Sequence, residues 1–237
     1  MQPNFNFSDR NRGKIGIIVP SSNTNLEADC SLLVPTGVTT HFTRVGGYQV
    51  DAIPDAGAMR SLANASLDAQ IELLMAARVD VIGYGCASAT LSCGWEFDRA
   101  FCKDIEVKSG VPTVTTSGAM VEALRTLDIT TIGFASPYVE TLNHDAVSFF
   151  ESAGINVVNC ANVGAELSSV EQGNLTPYDA FNLGYAANHS KAQAIVISCT
   201  DFRAVEAIKA LENTLGKPVI TSNQAMIKRC LLKIDLV

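Results

Sequence analysis

The segment VDVIGYGCASATLSCG (79–94) decides how the fold is interpreted, because a continuous apolar run ends there in a cysteine followed by small residues. An apolar run of this length, bounded by glycine, is typical of a buried strand in a parallel sheet. The segment AQAIVISCTDFR (192–203) has the same pattern, with its cysteine directly after the apolar run. Cys86 and Cys199 are therefore predicted to be equivalent positions in two copies of one structural unit.

Two further pairs of segments support this internal repeat. KIGIIVP (14–20) matches TIGFASP (131–137), and GVPTVTTSGAM (110–120) matches GKPVITSNQAM (216–226), in the same order along the chain. Between the apolar runs lie amphipathic segments typical of helices, and this alternation predicts parallel sheets covered by helices on both faces. We expect an α/β protein with two lobes related by a pseudo-twofold axis. The expected lobes are 13–117 with 218–237, and 118–217, after a flexible tail at 1–12.

Composition narrows the classes of function. The 237 residues are 47% hydrophobic and 17% charged, with a net charge of −7, which argues against a surface for binding nucleic acid. There is no apolar stretch long enough for a membrane span and no apolar leader at the N-terminus. Seven cysteines without a CxxC pair favour neither a disulfide framework nor a zinc site. We therefore expect a cytoplasmic protein with free thiols and no bound metal.

The repeat predicts where a ligand binds. Ligands of open parallel sheets collect beyond the carboxyl ends of the strands, so two facing lobes would bring Cys86 and Cys199 to one cleft. A thiol before a helix N-terminus is expected to have a lowered pKa. For each cysteine alone, a small buried hydrophobic side chain is an alternative. Two opposed thiols would suit the inversion of a stereocentre, or rotation about a transiently saturated double bond, without a cofactor.

Other polar residues follow the same strand ends. Ser22 and Asn23 come after the first apolar run and could hold a carboxylate, although an ordinary helix cap explains them equally. Tyr138 stands at the corresponding place in the second copy, where an edge aromatic is the alternative. The run GYGCAS has Ser88 in place of the third glycine of a dinucleotide fingerprint, so it argues only weakly for such a cofactor.

The motifs IGIIVPSSNTNLEAD (15–29), YGCASA (84–89), SPYVETLN (136–143), ISCTDFR (197–203) and GKPVITSNQAM resemble the Asp/Glu racemase superfamily. Within it, they are most similar to the branch of maleate cis-trans isomerases and arylmalonate decarboxylases. The resemblance covers nearly the whole chain. It implies a cofactor-independent enzyme of two Rossmann-like lobes, with its active site between them, acting on a small carboxylate. It also implies a homodimer or a higher homo-oligomer.

The resemblance also implies roles for individual residues. Cys86 would be the nucleophile that forms a covalent succinyl-like intermediate on the way from maleate to fumarate, and Cys199 would be the partner acid or base. The implied carboxylate ligands are Asn23, Tyr138, Ala87, Ser88 and Thr200.

The sequence departs from the family in two respects. Small residues follow Cys86, and the family's second-lobe asparagine has only Asn174 as a candidate. Arg203 is an additional candidate ligand. The alternative is that Arg203 forms an ion pair with Asp201 or Glu206. Decarboxylases of this branch have glycine at the first cysteine, so Cys86 argues against decarboxylation.

Three alternatives to a maleate isomerase remain open from sequence. A racemase of an amino acid or a hydantoin would use the two thiols as paired bases, but no acidic residue for an amino group can be placed in the cleft. A non-catalytic dicarboxylate-binding protein would use the same scaffold without turnover. A nicotinamide oxidoreductase would bind NADH.

Overall fold

The computed structural model describes residues 12–236, and within them the chain alternates between strands and helices. The first four strands and their helices are β1 (Gly13–Pro20), α1 (Asn25–Leu33), β2 (Val38–Val45), α2 (Ala56–Ala63), α3 (Asp68–Ala76), β3 (Val81–Tyr84), α4 (Ala87–Leu91), α5 (Trp95–Ser109), β4 (Thr113–Thr115) and α6 (Thr116–Thr126). The remaining elements are β5 (Thr131–Ala135), α7 (Glu140–Ser152), β6 (Asn156–Ala161), α8 (Ser169–Gly173), α9 (Pro177–Ala186), β7 (Ala194–Ile197), a 3₁₀ turn (Val205–Ala207), α10 (Ile208–Leu215), β8 (Val219–Thr221) and α11 (Ser222–Lys233).

The strands form two parallel four-stranded sheets with the same topology. Their orders are β2-β1-β3-β4 and β6-β5-β7-β8, so each strand of the first sheet has a counterpart in the second. The central strands β1, β3, β5 and β7 are almost completely buried, which explains their continuous apolar runs. The predicted two-lobed α/β fold is therefore confirmed.

Glycine and threonine recur at matching positions of the two copies, and the structure explains why. Gly16 and Gly133 allow close packing, because a Cβ there would lie 2.9 Å from a Val79 methyl and 2.2 Å from the carbonyl oxygen of Ala187. Thr115 and Thr221 each end a strand and cap the next helix, and each hydroxyl accepts the N–H group three residues further on. The sequence repeat thus encodes the same strand-to-helix connections twice.

The chain crosses between the lobes near its end. We predicted that 218–237 belongs with the first lobe, but β8 pairs with β7 and lies in the second sheet. The following helix, α11, packs against α6, α1, β3 and β4. Because strand pairing fixes β8, the expected boundary is wrong for that strand, and the rest of the lobe division stays a prediction.

The tail predicted at 1–12 falls outside the described residues except for Arg12. Within 12–236 no helix is both long and apolar enough to cross a bilayer.

Candidate active site

A cavity of about 50 Å³ lies at the carboxyl ends of β1, β3 and β7, where the loops of both sheets meet. Both predicted catalytic cysteines line it, together with four of the predicted ligands, which are Ser22, Asn23, Ser88 and Thr200. The other lining residues are Pro20, Tyr48, Pro54, Met59, Leu62, Ser169, Gln172 and Asp201. The two thiols therefore share one cavity, each reaching it from a different sheet.

Cys86 stands between the end of β3 and the first turn of α4, with its thiol buried. The Sγ atom lies 3.6 Å from the Ser88 hydroxyl, which also reaches the sulfur of Met59 at 3.2 Å. Burial raises the pKa of the Cys86 thiol, while the Ser88 hydroxyl and the nearby N–H of Ala89 favour the thiolate. The lowered pKa that we expected from the helix N-terminus is therefore wrong, because loss of hydration outweighs those donors.

Cys199 follows β7 in an unusual backbone conformation. Its φ of 125° lies in the region that favours glycine, and its N–H donates to the hydroxyl of Ser222 at 3.0 Å. The thiol donates to Oε1 of Gln172 at 3.7 Å. Burial raises the pKa of the Cys199 thiol, and the carboxylate of Asp201 raises it further. The expected lowering is wrong here too, and the neutral thiol is the stable form.

Tyr138 lies behind Cys199 and is fully enclosed. Its hydroxyl is 3.1 Å from the hydroxyl of Ser198 and also interacts with the thiol of Cys199. Burial raises the pKa of Tyr138 well above its usual value, so the side chain stays a neutral phenol. It is not among the residues that line the cavity, so its direct contact in this structure is with Cys199.

Asn23 and Thr200 join the lobes across the cavity. The Nδ2 of Asn23 donates to the hydroxyl of Thr200 at 3.0 Å, and that hydroxyl donates to the carbonyl of Gly85 at 2.9 Å. The Oδ1 of Asn23 accepts the N–H of Leu26, so the side chain also caps α1. Since an amide nitrogen carries two hydrogens, one N–H of Asn23 is left to face a ligand. Both alternatives for Asn23, cap and ligand, are compatible with this geometry.

Asp201 is an acidic residue of the cavity that sequence reasoning did not place there. Its Oδ1 accepts the backbone N–H groups of Thr24 and Asn25 and the side-chain amide of Asn25, at 2.9 to 3.1 Å. Burial raises the pKa of Asp201, and these three donors counteract the rise. Its position next to Cys199 in sequence was visible, but its use as a cap for α1 of the other lobe depends on tertiary structure.

Part of the cavity lining combines hydroxyl and apolar groups. Tyr48 places its hydroxyl 2.7 Å from that of Ser22 and accepts the N–H of Ser22 at 3.2 Å. Met59 and Leu62 of α2 supply apolar surface beside them. No role could be predicted for Tyr48, Met59 and Leu62, because none of the repeated motifs includes α2 or the loop before it. No motif in the sequence around these three residues predicts that they line the site.

Besides Tyr138, three predicted ligands lie outside the cavity lining. Ala87 is buried in the first turn of α4 and lends only its backbone to the Cys86 loop. Asn174 is an exposed residue at the end of α8. Arg203 is exposed and paired with Glu206, at 2.8 and 3.0 Å, which is the alternative already considered for it. In this structure, Asn174 and Arg203 have no contact through which they could hold a ligand of the cavity.

A larger, open groove of about 880 Å³ runs between α5, α6 and α11. Its charged walls pair with one another, as in Arg125 with Glu122 and Lys103 with Glu106, and Cys102 is its one thiol. Among residues 12–236 no three His, Cys, Asp or Glu side chains are grouped as metal ligands. The paired thiols therefore mark the smaller cavity as the candidate active site.

The fold and this cavity define a class of protein in which two parallel sheets each present a cysteine to a shared site. The family model described as arylmalonate decarboxylase matches residues 15–236, and the chain belongs to that family. Maleate isomerases of Geobacillus stearothermophilus and Pseudomonas putida are 25% and 28% identical, over 94% of this chain and 92% of theirs. A maleate isomerase structure from Pseudomonas putida S16 with maleate is 25% identical, with a TM-score of 0.84 over 94% of this chain and 92% of that one.

Proposed function

We propose that this protein is a cofactor-independent isomerase that converts maleate to fumarate, with Cys86 as nucleophile and Cys199 as proton donor and acceptor. The observation that carries the proposal is the pair of thiols that reach one cavity from equivalent strands of the two sheets. The relatives named maleate isomerase match the chain over nearly its whole length, which supports the same reaction.

In the proposed reaction the Cys86 thiolate attacks one olefinic carbon of maleate and forms a C–S bond. The π electrons move to the neighbouring carbon, which takes the proton of the Cys199 thiol. The former double bond is then single and rotates. The Cys199 thiolate removes a proton from that carbon, the double bond reforms, and Cys86 leaves as a thiolate, which releases fumarate. No net proton or electron is consumed, so the two thiols suffice.

Hydrogen-bond donors around the thiols would hold the two carboxylates. The free N–H of Asn23 and the hydroxyls of Ser22, Tyr48 and Ser88 face the same cavity. Among residues 12–236 the cavity lining includes no basic side chain, and neutral donors can bind a dianion there without an ion pair. The carboxylate of Asp201 would repel a dianion, but its Oδ1 is already occupied by three N–H groups.

The size of the cavity favours a small substrate. About 50 Å³ corresponds to a few water molecules, and Met59 and Leu62 close one side. A four-carbon diacid needs only modest adjustment of these side chains, whereas an aromatic ring would have to displace them. The same argument disfavours the decarboxylation of arylmalonates.

The decisive experiment follows maleate by ultraviolet absorbance and the protein by intact-mass spectrometry. Wild type is expected to consume maleate and Cys86→Ser to be inactive. Cys199→Ser is expected to accumulate a maleate adduct on Cys86, because water can protonate the adduct slowly but no thiolate is present to remove that proton again. Cys160→Ser, which changes an exposed thiol, is the matched control and is expected to behave as wild type. Binding of maleate without turnover by wild type would instead favour a dicarboxylate-binding protein.

A racemase is distinguished by its substrates. Incubation with single enantiomers of aspartate, glutamate or a hydantoin, followed by polarimetry, is expected to show no loss of optical rotation. Rotation that decays with wild type and persists with both cysteine variants would replace the isomerase proposal, with Asp201 as the amino-group ligand. NADH binding would likewise replace it with an oxidoreductase.

The proposal includes a cytoplasmic homodimer or higher oligomer. Light scattering of the purified protein would test the oligomeric state, and fractionation of cells would test the location.

A further inference from the structure

Gln172 is the one residue of α8 whose side chain contacts a catalytic thiol in the described structure. It is buried, lines the cavity, and places Oε1 3.7 Å from Sγ of Cys199. Neither the repeat nor any motif drew attention to it, since α8 takes the place in the β6–β7 connection that α2 has in the β2–β3 connection, but none of the repeated motifs includes it. It therefore calls for a physical account of what its amide does beside the thiol.

A second contact fixes which way the amide faces. The Nε2 of Gln172 donates to the carbonyl oxygen of Leu167 at 3.1 Å. A carbonyl oxygen can only accept, so the opposite orientation would place two acceptors against each other. The amide must therefore present its oxygen to Cys199. An oxygen in that position can only accept a hydrogen bond, so it favours the thiol over the thiolate.

The surroundings of Cys86 differ in this respect. The Ser88 hydroxyl can turn its hydrogen toward either Met59 or Cys86, and the N–H of Ala89 also points to the Cys86 sulfur. Those groups can stabilise a thiolate when it forms. Cys199 also has donors, the backbone N–H of Asp201 and the hydroxyl of Tyr138. The difference between the two thiols is the acceptor oxygen of Gln172 beside Cys199.

We infer that Gln172 is a positioning residue that holds Cys199 in its protonated form, with its S–H directed at Oε1 on the cavity wall, which makes Cys199 the acid and leaves Cys86 as the nucleophile. This inference rests on the proposed function for its role in turnover, although the protonation of Cys199 can be measured without turnover. The other titratable groups facing Cys199 are Asp201, Cys86 and Tyr138. The carboxylate of Asp201 and the Cys86 thiol oppose its ionisation, while the backbone N–H of Asp201 and the Tyr138 hydroxyl favour it.

The test measures the ionisation of Cys199 directly. In a Cys86→Ser background, alkylation of Cys199 by iodoacetamide is followed against pH by peptide mass spectrometry. Gln172→Leu removes the acceptor and is expected to lower the pKa of Cys199 by about 0.5 to 1 unit, so that alkylation at a fixed pH below that pKa is about three- to tenfold faster. Gln172→Met is a second variant with at most a weak acceptor and is expected to shift in the same direction.

Two further variants separate hydrogen bonding from packing. Gln172→Glu keeps an acceptor oxygen and is expected not to lower the pKa, and Val170→Ala, at an exposed position of the same helix, is expected to match the parent. An alkylation rate that changes equally at every pH, with the same midpoint, would overturn the inference because it reports access alone. So would equal behaviour of Gln172→Leu and Gln172→Glu.

The activity of the same variants with Cys86 restored gives a second readout. A group that acts when protonated supports activity below its pKa and loses it as the pH rises through that value. The alkaline limb of kcat is therefore expected to move to lower pH in Gln172→Leu by the amount seen in alkylation. A protein that shows the alkylation shift but never converts maleate refutes the proposed function and leaves the protonation of Cys199 established. Active protein without the shift refutes the inference alone.

Discussion

Replacing Thr200 with valine tests whether one side chain couples the two lobes. The hydroxyl of Thr200 accepts from Nδ2 of Asn23 and donates to the carbonyl of Gly85, and all three residues are buried. Valine has nearly the same shape but leaves both partners without a hydrogen bond. Each unsatisfied buried group costs about 1–3 kcal/mol, so we expect Thr200→Val to lose roughly 2–4 kcal/mol of unfolding free energy. It should also raise KM for maleate, because the amide of Asn23 is no longer held.

The assay is urea unfolding followed by the fluorescence of Trp95, the single tryptophan of the chain. Thr214→Val is the matched control, because the Thr214 hydroxyl is exposed and bonds only to Ala210 within its own helix. We expect the control to change stability by less than about 0.5 kcal/mol, with the same dependence on urea. If Thr200→Val is as stable as Thr214→Val and has an unchanged KM, the hydroxyl does not couple the lobes, and the assignment of Asn23 loses its support.

Three further predictions follow from the same structure. Burial raises the pKa of Asp98 to about 6, so the folded state binds a proton more tightly than the unfolded chain and stability falls as the pH rises from about 4 to 6. Asp98→Asn should remove that decline and gain roughly 1–3 kcal/mol at pH 7, and a melting temperature with the wild-type pH dependence would contradict this. Because Cys86 reacts as a thiolate and burial raises its pKa, kcat/KM for maleate should rise with pH through neutrality, whereas a flat profile between pH 6 and 9 would exclude it as the nucleophile. Met59→Ala should enlarge the cavity and favour 2-methylmaleate over maleate by about tenfold in relative kcat/KM, and unchanged selectivity would show that Met59 does not limit substrate size.

The fold and the two cysteines of the site could be predicted from the sequence, because short local segments specify both and each segment occurs twice. Buried central strands have continuous apolar runs, and the residue after each run must lie at the carboxyl end of its sheet. That argument places Cys86 and Cys199 without any knowledge of the packing between lobes. The half-buried edge strands β2 and β6 gave weaker signals, since only part of each strand faces the core.

The rest of the site depends on contacts between segments far apart in the chain. Tyr48 and Gln172 reach the cavity from the β2–β3 and β6–β7 connections, which correspond in topology but share none of the repeated motifs, so the sequence comparison could not reveal them. The pKa of each thiol was predicted in the wrong direction for a related reason. Sequence shows the helix that follows a cysteine, but the degree of burial depends on what the opposite lobe places over it.

The differences between the copies account for the chemistry that a symmetric pair could not perform. Two thiols in identical surroundings would compete for the same role, because neither would be preferred as thiolate or as acid. Here Cys86 has an extended backbone with φ of −141° and donors beside its sulfur, whereas Cys199 has φ of 125° and, in addition to donors, the acceptor oxygen of Gln172 beside its own. The repeat brings two thiols to one substrate, and the unrepeated residues around them decide which attacks carbon and which carries the proton.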